Sequence, residues 1–456
     1  MHPAAACFRQ KAFGLVIVCG LCCLPGTARA ELWNTGYYPA YRQTYYPPSE
    51  IDFTALTHVI HFDIAPNADG TLNTNVNGMT PDRSTALVSA VHAAGKRVLI
   101  CVAGSGPGGF MGATTNTHRA AFIGNLVNFV SVYGYDGIDI DWEPLAGSEV
   151  TQYTNFVREL RAALKALTPP RLLTVATAQQ PAWFAALQTQ LDQINLMTYG
   201  LSGAWAGWVT WFNAPIYDGG YRFPSTGGLV PSTDGMVNDF LDAGVAASKL
   251  GIGIAFYGKV WAGGAGTSTG GAALPRQTWT TAPTVTGMAY FDIMSTHYQT
   301  SLYRWDSAAQ AAYLTLDNTG SASDKFISYD DEHACQAKVS YARNCELGGV
   351  MIWELGQGYR STQPVGQRDP LLQAVKQGLI ATPDFAGIQR SGQDIQLSFR
   401  SQPLALYRVQ WATNLSSGVW FTLTNNVPGS GAVVQVTDRG ALNSQTRRFY
   451  RVQTPP

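Results

Sequence analysis

Eight short apolar runs, most of them separated by longer amphipathic stretches, constrain the fold of this chain more than any other feature. The runs are Leu32–Tyr38, His58–Ile64, Arg97–Ala103, Gly137–Trp142, Leu172–Ala176, Ile194–Tyr199, Gly251–Phe256 and Gly349–Trp353. Helix-like periodicity marks Arg83–Ala94, His118–Tyr133, Val150–Leu167, Met236–Ala247, Cys335–Arg343 and Pro370–Ile380. A strand buried on both faces reads as a continuous apolar run, whereas a helix covering a sheet shows one apolar stripe. Their alternation over residues 31–380 predicts an α/β fold, a (β/α)8 TIM barrel. A doubly wound open sheet is the competing topology. The glycine-rich phosphate loop that usually follows its first strand is missing here.

The pattern changes near Ala381-Thr382-Pro383. Beyond it, Ile395, Leu397 and Phe399 alternate with Gln396, Ser398 and Arg400, and Tyr407, Val409 and Trp411 repeat the period. Asn425-Asn426 and Gly429-Ser430-Gly431 supply turns. This predicts a small all-β sandwich over residues 384–456.

The other end reads as a leader. Arg9 and Lys11 precede an apolar stretch from Phe13 to Leu24, and Ala28 and Ala30 fit an A-x-A cleavage pattern. Residues 1–30 are therefore expected to be a signal peptide, with a mature chain from Glu31 that is secreted, extracellular or periplasmic. The stretch is too short for a comfortable membrane span. A lipid anchor on Cys19, Cys22 or Cys23 is the alternative.

Charge narrows the partners. Lys+Arg and Asp+Glu are 30 each in 456 residues, which argues against nucleic acid, since phosphate binding needs a basic surface. Twelve Trp and 21 Tyr offer flat rings that suit sugar faces, although large cores are aromatic too. Past the leader only Cys101, Cys335 and Cys345 remain, an odd number with no disulfide framework. Cys335 and Cys345 can pair only if the helix between them ends early, because ten helical residues span about 15 Å. No His/Cys cluster has metal-ligand spacing, and no cofactor or metal is expected.

The chemistry is concentrated in Asp136-Gly137-Ile138-Asp139-Ile140-Asp141-Trp142-Glu143. Asp139, Asp141 and Glu143 fall at every second residue, so on a strand they share one face while Ile138 and Ile140 share the other. Acids aimed into a barrel lumen are costly unless they share protons or hydrogen bonds. A solvated edge strand is the bland alternative, and an Mg²⁺ or Ca²⁺ cluster is another.

This octad resembles the DGxDxDxE signature of glycoside hydrolase family 18, the chitinases and endo-β-N-acetylglucosaminidases. Further stretches resemble the same family. Val102-Ala103-Gly104-Ser105-Gly106-Pro107-Gly108-Gly109 is similar to its S-x-G-G region, and Met197-Thr198-Tyr199 to its M-x-Y. Ala255-Phe256-Tyr257-Gly258 is similar to its seventh strand, Gly348-Gly349-Val350-Met351-Ile352-Trp353-Glu354 to its eighth, and Asn213-Ala214-Pro215-Ile216-Tyr217 to a loop of the chitinase branch. The resemblance runs from about Leu32 to Ile380 and stops there.

It implies substrate-assisted, retaining hydrolysis, an exception to the two-carboxylate scheme. Glu143 would protonate the glycosidic oxygen, and the sugar's own acetamide oxygen would attack C1. Asp141 would hold the acetamide N–H, Asp139 would share a proton with Asp141, and Tyr199 would orient the acetamide oxygen. Trp353 would be the floor under the sugar, with Met197, Tyr37, Trp205 and Tyr257 as further binding residues and Trp208 and Trp211 as candidates beside them. Many members read M-x-Y-D where this chain has Gly200. The partners implied are chitin or N-acetylglucosamine oligosaccharides, bound by a monomer. The alternatives are an enzyme acting on N-glycan cores, a lectin on the same barrel, or a metal-dependent barrel hydrolase. Asp330 and Asp331 read as a helix N-cap pair. In the sandwich, Trp411, Trp420, Phe421, Phe449 and Tyr450 are either a sugar platform or core.

Overall fold

The structure is a computed structural model and describes residues 31–318, 323–379, 384–401, 406–415, 418–430, 433–443 and 447–453. The expected leader, the 381–383 break and Gly431 lie outside the described residues. Eight parallel strands close into a ring: β1 (Trp33–Pro39), β2 (His58–Pro66), β3 (Arg97–Gly104), β4 (Gly137–Trp142), β5 (Leu172–Thr177), β6 (Gln193–Leu196), β7 (Leu250–Ala255) and β8 (Gly349–Trp353). Each pairs with its neighbours in chain order, and β8 returns to β1 with Trp33 opposite Gly349. This is the expected TIM barrel. All eight anticipated runs are strands, with one shorter than expected: β6 stops at Leu196, before Met197 and Tyr199.

Local chemistry sets the helices that wrap it. Pro81–Ala93 starts where the Thr80 hydroxyl accepts from the Arg83 N–H and Pro81 takes the first turn, whose amide would have no partner. Its buried side chains, Ser84, Leu87, Val88 and Val91, recur at helical spacing on one stripe. Arg119–Tyr133 ends at Gly134, whose φ of 78° is the left-handed cap that glycine adopts at little cost. The other main covering helices are Val150–Lys165, Thr233–Asp242, Glu332–Asn344 and Pro370–Leu379. Because Glu332–Asn344 runs unbroken past Cys335 to the residue before Cys345, no disulfide joins those two cysteines. No described helix is long and apolar enough to cross a membrane.

Between β7 and β8 the chain departs from simple alternation. Residues 257–329 build a five-stranded antiparallel sheet, in the order Thr284–Ala289, Tyr257–Ala262, Lys325–Tyr329, Ala311–Leu316, Tyr303–Asp306. Its core contains Trp211, Phe212, Trp261 and Phe326. Trp211, a cleft candidate on sequence grounds, is thus wholly buried packing, with its indole N–H donated to the Pro231 carbonyl at 2.8 Å.

The contacts divide the chain between Lys376 and Gln377. The C-terminal unit holds two three-stranded antiparallel sheets, one of Asp384–Ser391, Asp394–Arg400 and Val433–Asp438, the other of Leu406–Ala412, Phe421–Pro428 and Phe449–Gln453. Leu397 and Phe399 from the first meet Tyr407 and Val409 from the second in one buried cluster, as the two-residue alternation predicts for a sandwich. Tyr450 packs on that cluster. Trp411 stacks on Phe421, 4.9 Å away, and also has the Arg448 guanidinium 4.1 Å from its ring centroid.

Candidate active site

The acid row lies at the C-terminal end of β4, the end where barrel loops build sites. Ile138 and Ile140 are fully buried on the opposite face. Burying a side chain of that size contributes about 1.5–3 kcal/mol and offsets part of the cost of the acids. Asp139 is fully buried and Asp141 is 9% exposed, while Glu143, one residue past the strand, is exposed. A row that descends from solvent into the lumen is inconsistent with a solvated edge strand.

Each acid has a distinct environment. Cys101 on β3 and Thr174 on β5 sit opposite Asp139 in register. The Thr174 hydroxyl donates to Asp139 Oδ1 at 2.5 Å, the Tyr37 hydroxyl donates to Oδ2 at 2.8 Å, and the Cys101 thiol adds a third hydrogen bond. Burial pushes the Asp139 carboxyl up, and these three donors pull against it. Burial also raises the Asp141 carboxyl well above its ordinary range, reinforced by the charge of Glu143, a hydrogen bond to Glu143, and the charges of Asp139 and Asp63. Asp141 is therefore turned toward Glu143, and among the described residues its Oδ1 is buried without a partner. Ala103, a small side chain, lies opposite Asp141 in register.

Four of the expected site residues meet around this row. Tyr37, Met197, Tyr199 and Trp353 share one lumen cluster with Ile60, Phe62, Cys101, Ala103 and Met351. Met197 and Tyr199 reach it although their strand has ended, because the Met197 N–H still bonds the Thr177 carbonyl at 2.8 Å. The Tyr199 ring lies over Gly253 of β7, where a Cβ would meet the ring at 2.6 Å. Burial raises the Tyr199 phenol well above its ordinary value, so it remains a neutral donor. Trp353 is partly buried, with the Tyr37 ring 5.6 Å away and Phe62 edge-on at 4.9 Å.

The remaining residues are peripheral to the cluster. Tyr257 is partly buried and packs edge-on to Tyr199 at 6.0 Å. Trp205 is 53% exposed on the loop after β6 and packs against Trp208 at 4.5 Å. Neither belongs to the lumen cluster. Lys259 anchors that loop by donating to the carbonyls of Gly200 and Ser202, and burial lowers its ammonium to about 8. Asp331 is an N-cap, accepting from the Ala334 N–H at 2.7 Å, whereas Asp330 is instead a buried partner of Lys338. Among the described residues no three His, Cys, Asp or Glu side chains converge as a metal cage. A hollow of about 460 Å³ lies off the lumen, lined by Tyr221, Arg276, Trp305, Asp306 and Tyr313, none of them on a barrel strand.

Gly200 marks a turn with φ of 70°, and its N–H bonds the Asn213 Oδ1 at 3.2 Å. A Cβ there would find only the Tyr257 hydroxyl, at 3.6 Å, so space is available but the backbone is unfavourable for an L side chain. Gly200→Asp is expected to destabilise the chain by about 1 kcal/mol, lowering Tm by roughly 1–2 °C. Calorimetry checks this, and an unchanged Tm would show that the turn relaxes.

The profile of the family "Glycosyl hydrolases family 18" matches residues 34–358. The chain belongs to glycoside hydrolase family 18. It is 31% identical over 277 residues to Chitinase A1 of Niallia circulans, which covers 53% of this chain and 38% of that protein. It is 29% identical over 257 residues to a probable endochitinase of Caenorhabditis elegans, 53% of this chain and 40% of that protein. The chain thus spans less than half the length of these two relatives. Among solved structures, a family 18 N-acetylglucosaminidase from Paenibacillus barengoltzii superimposes with a TM-score of 0.62 at 25% identity, over 76% of this chain and 99% of that one.

The motif did not point to Cys101, Thr174 or Asp63 as parts of the site. For the first two, the signal was available in principle, since strand register places Cys101, Asp139 and Thr174 side by side on β3, β4 and β5. That register is not written in any one segment.

Proposed function

We propose that this glycoside hydrolase is a secreted chitinase that cleaves β-1,4-linked N-acetylglucosamine chains with retention, using the substrate's acetamide as nucleophile. The observation that carries this reading is the pairing of buried Asp141 with exposed Glu143, with the unpartnered Asp141 Oδ1 in the lumen. Glu143, exposed one residue past β4, gives a proton to a glycosidic oxygen arriving from solvent. The Asp141 oxygen offers the acceptor that an acetamide N–H needs. Tyr199 donates to the acetamide oxygen, and Trp353 carries the sugar face. Asp139, held by three donors, stabilises the row from below and takes up Asp141 when it turns. Trp205 and Tyr257 extend the cleft on the loop side, the enzyme acts as a monomer, and the Ala28 and Ala30 pattern supports its export.

The test is to digest colloidal chitin and soluble chitin oligosaccharides beside a high-mannose glycoprotein. Release of N-acetylglucosamine oligomers from chitin, with the glycoprotein untouched, is the expected result. Glycan release alone would move the substrate to N-glycan cores. The likeness to the P. barengoltzii N-acetylglucosaminidase favours a second reading in which single sugars are removed from chain ends. Accumulation of monomer from the first minutes would select it.

A further inference from the structure

The lumen holds a carboxylate outside the family motif. Asp63 lies near the end of β2, which pairs with β3 through Ile64 opposite Val102, and β3 pairs with β4 through Ala103 opposite Asp141. One strand therefore separates Asp63 from Asp141, a backbone spacing of about 10 Å. The lumen cluster takes Leu99, Cys101 and Ala103 from that strand, and the two that flank the level of Ile64 and Asp141 in register, Cys101 and Ala103, are small, so no bulky side chain of β3 stands between the two acids at that level. Asp63 is 4% exposed. Its Oδ1 accepts from the Asn77 side chain at 2.7 Å, and among the described residues no Lys, Arg or His pairs with it. A buried carboxylate without a cation is costly to keep, and such groups cluster where charge is put to use.

We propose that Asp63 is a positioning residue of the acid chemistry, whose negative charge faces Asp141 across β3 and holds the shared proton on the Asp141–Glu143 pair. The groups coupled to Asp63 are Asp141 on β4, Cys101 on β3 and Tyr41 in the turn after β1, with neutral Asn77 as its hydrogen-bond donor. Burial raises the Cys101 thiol and the Tyr41 phenol, so both stay neutral and Asp141 is the partner that titrates. Burial pushes the Asp63 carboxyl itself up to about 6. Its charge is present above that pH and absent below it. The sign follows: Asp63 opposes loss of the last proton from the pair at high pH and has no charge to act with at low pH.

The inference rests on the acid role proposed for Glu143. The two fail separately, because Glu143 is tested by the plateau rate and Asp63 by the position of one limb. The experiment is the pH profile of kcat/KM of the full chain on a soluble chitin oligosaccharide. Asp63→Asn is expected to move the alkaline limb down by about half a pH unit or more, with the acid limb unmoved. Asp63→Glu is expected to restore the alkaline limb. Asn77 is exposed and has φ of 48°, a conformation glycine accepts, so Asn77→Gly offers a surface variant that removes the donor to Asp63 and shifts the alkaline limb less, in the same direction. An alkaline limb unmoved in Asp63→Asn, or, if that variant does not fold, unmoved in Asn77→Gly, overturns the proposal, as does an equal shift of both limbs.

Discussion

Glu143→Gln is expected to lower turnover by roughly 10²–10⁴-fold while binding of chitin oligosaccharides survives. The amide keeps the shape of the side chain and can still bond Asp141, but it has no proton of suitable acidity to give. Glu143 sits past the end of β4 with its backbone N–H on the Gly104 carbonyl at 2.9 Å, so the exchange does not disturb a buried strand. A loss confined to kcat, with affinity retained, reads as removal of an interaction made in the transition state. Stopped assays on a soluble oligosaccharide, with binding followed by calorimetry, give both numbers. Retention of more than about a tenth of the wild-type rate would remove Glu143 from the role of acid.

The second large effect belongs to the substrate. An oligosaccharide whose cleaved sugar carries a free amine should bind but not be cut at that position. The amine has no carbonyl oxygen to reach C1, and as an ammonium it faces a growing cation. Asp141 and Tyr199 would also lose the amide partners proposed for them. With the acetamide in place, attack and hydrolysis each invert C1, so the first product is the β-anomer. Proton NMR of early digests reads the anomer, and a thiazoline mimic of the cyclised intermediate should inhibit tightly. An initial α-anomer would indicate direct attack by water. Efficient cleavage after glucosamine would make a protein carboxylate the nucleophile, with Asp141 the nearest.

Much of the barrel was legible because its signals are local. A run such as Gly137–Trp142 can be buried on both faces only as a strand among helices, and that burial forces Asp139 and Asp141 inward by parity alone. The accessory sheet was not legible. Its first strand, Tyr257–Ala262, begins two residues after β7 and reads as that strand's tail, and segments such as Gly263–Gly271 carry neither period. The tryptophans divided for a similar reason. Trp205, Trp208 and Trp211 look alike in sequence, yet Trp211 fills the accessory core and Trp205 stays 53% exposed, a difference set by a sheet whose partner strands lie downstream.

By itself the sequence determined the strand–helix alternation, the inward face of the acid row, the inward-facing Trp353 at the end of the last strand, and the two-residue period of the C-terminal sandwich. All depend on the spacing of neighbours within one segment. Only the tertiary structure decided which groups surround each acid. Asp139 receives its donors from β1, β3 and β5, and Asp63 lies one strand away from Asp141. Such contacts depend on barrel closure and on the register of separate strands. Proton affinities in the lumen follow from those contacts and from burial, so they are properties of the closed ring and of no single strand.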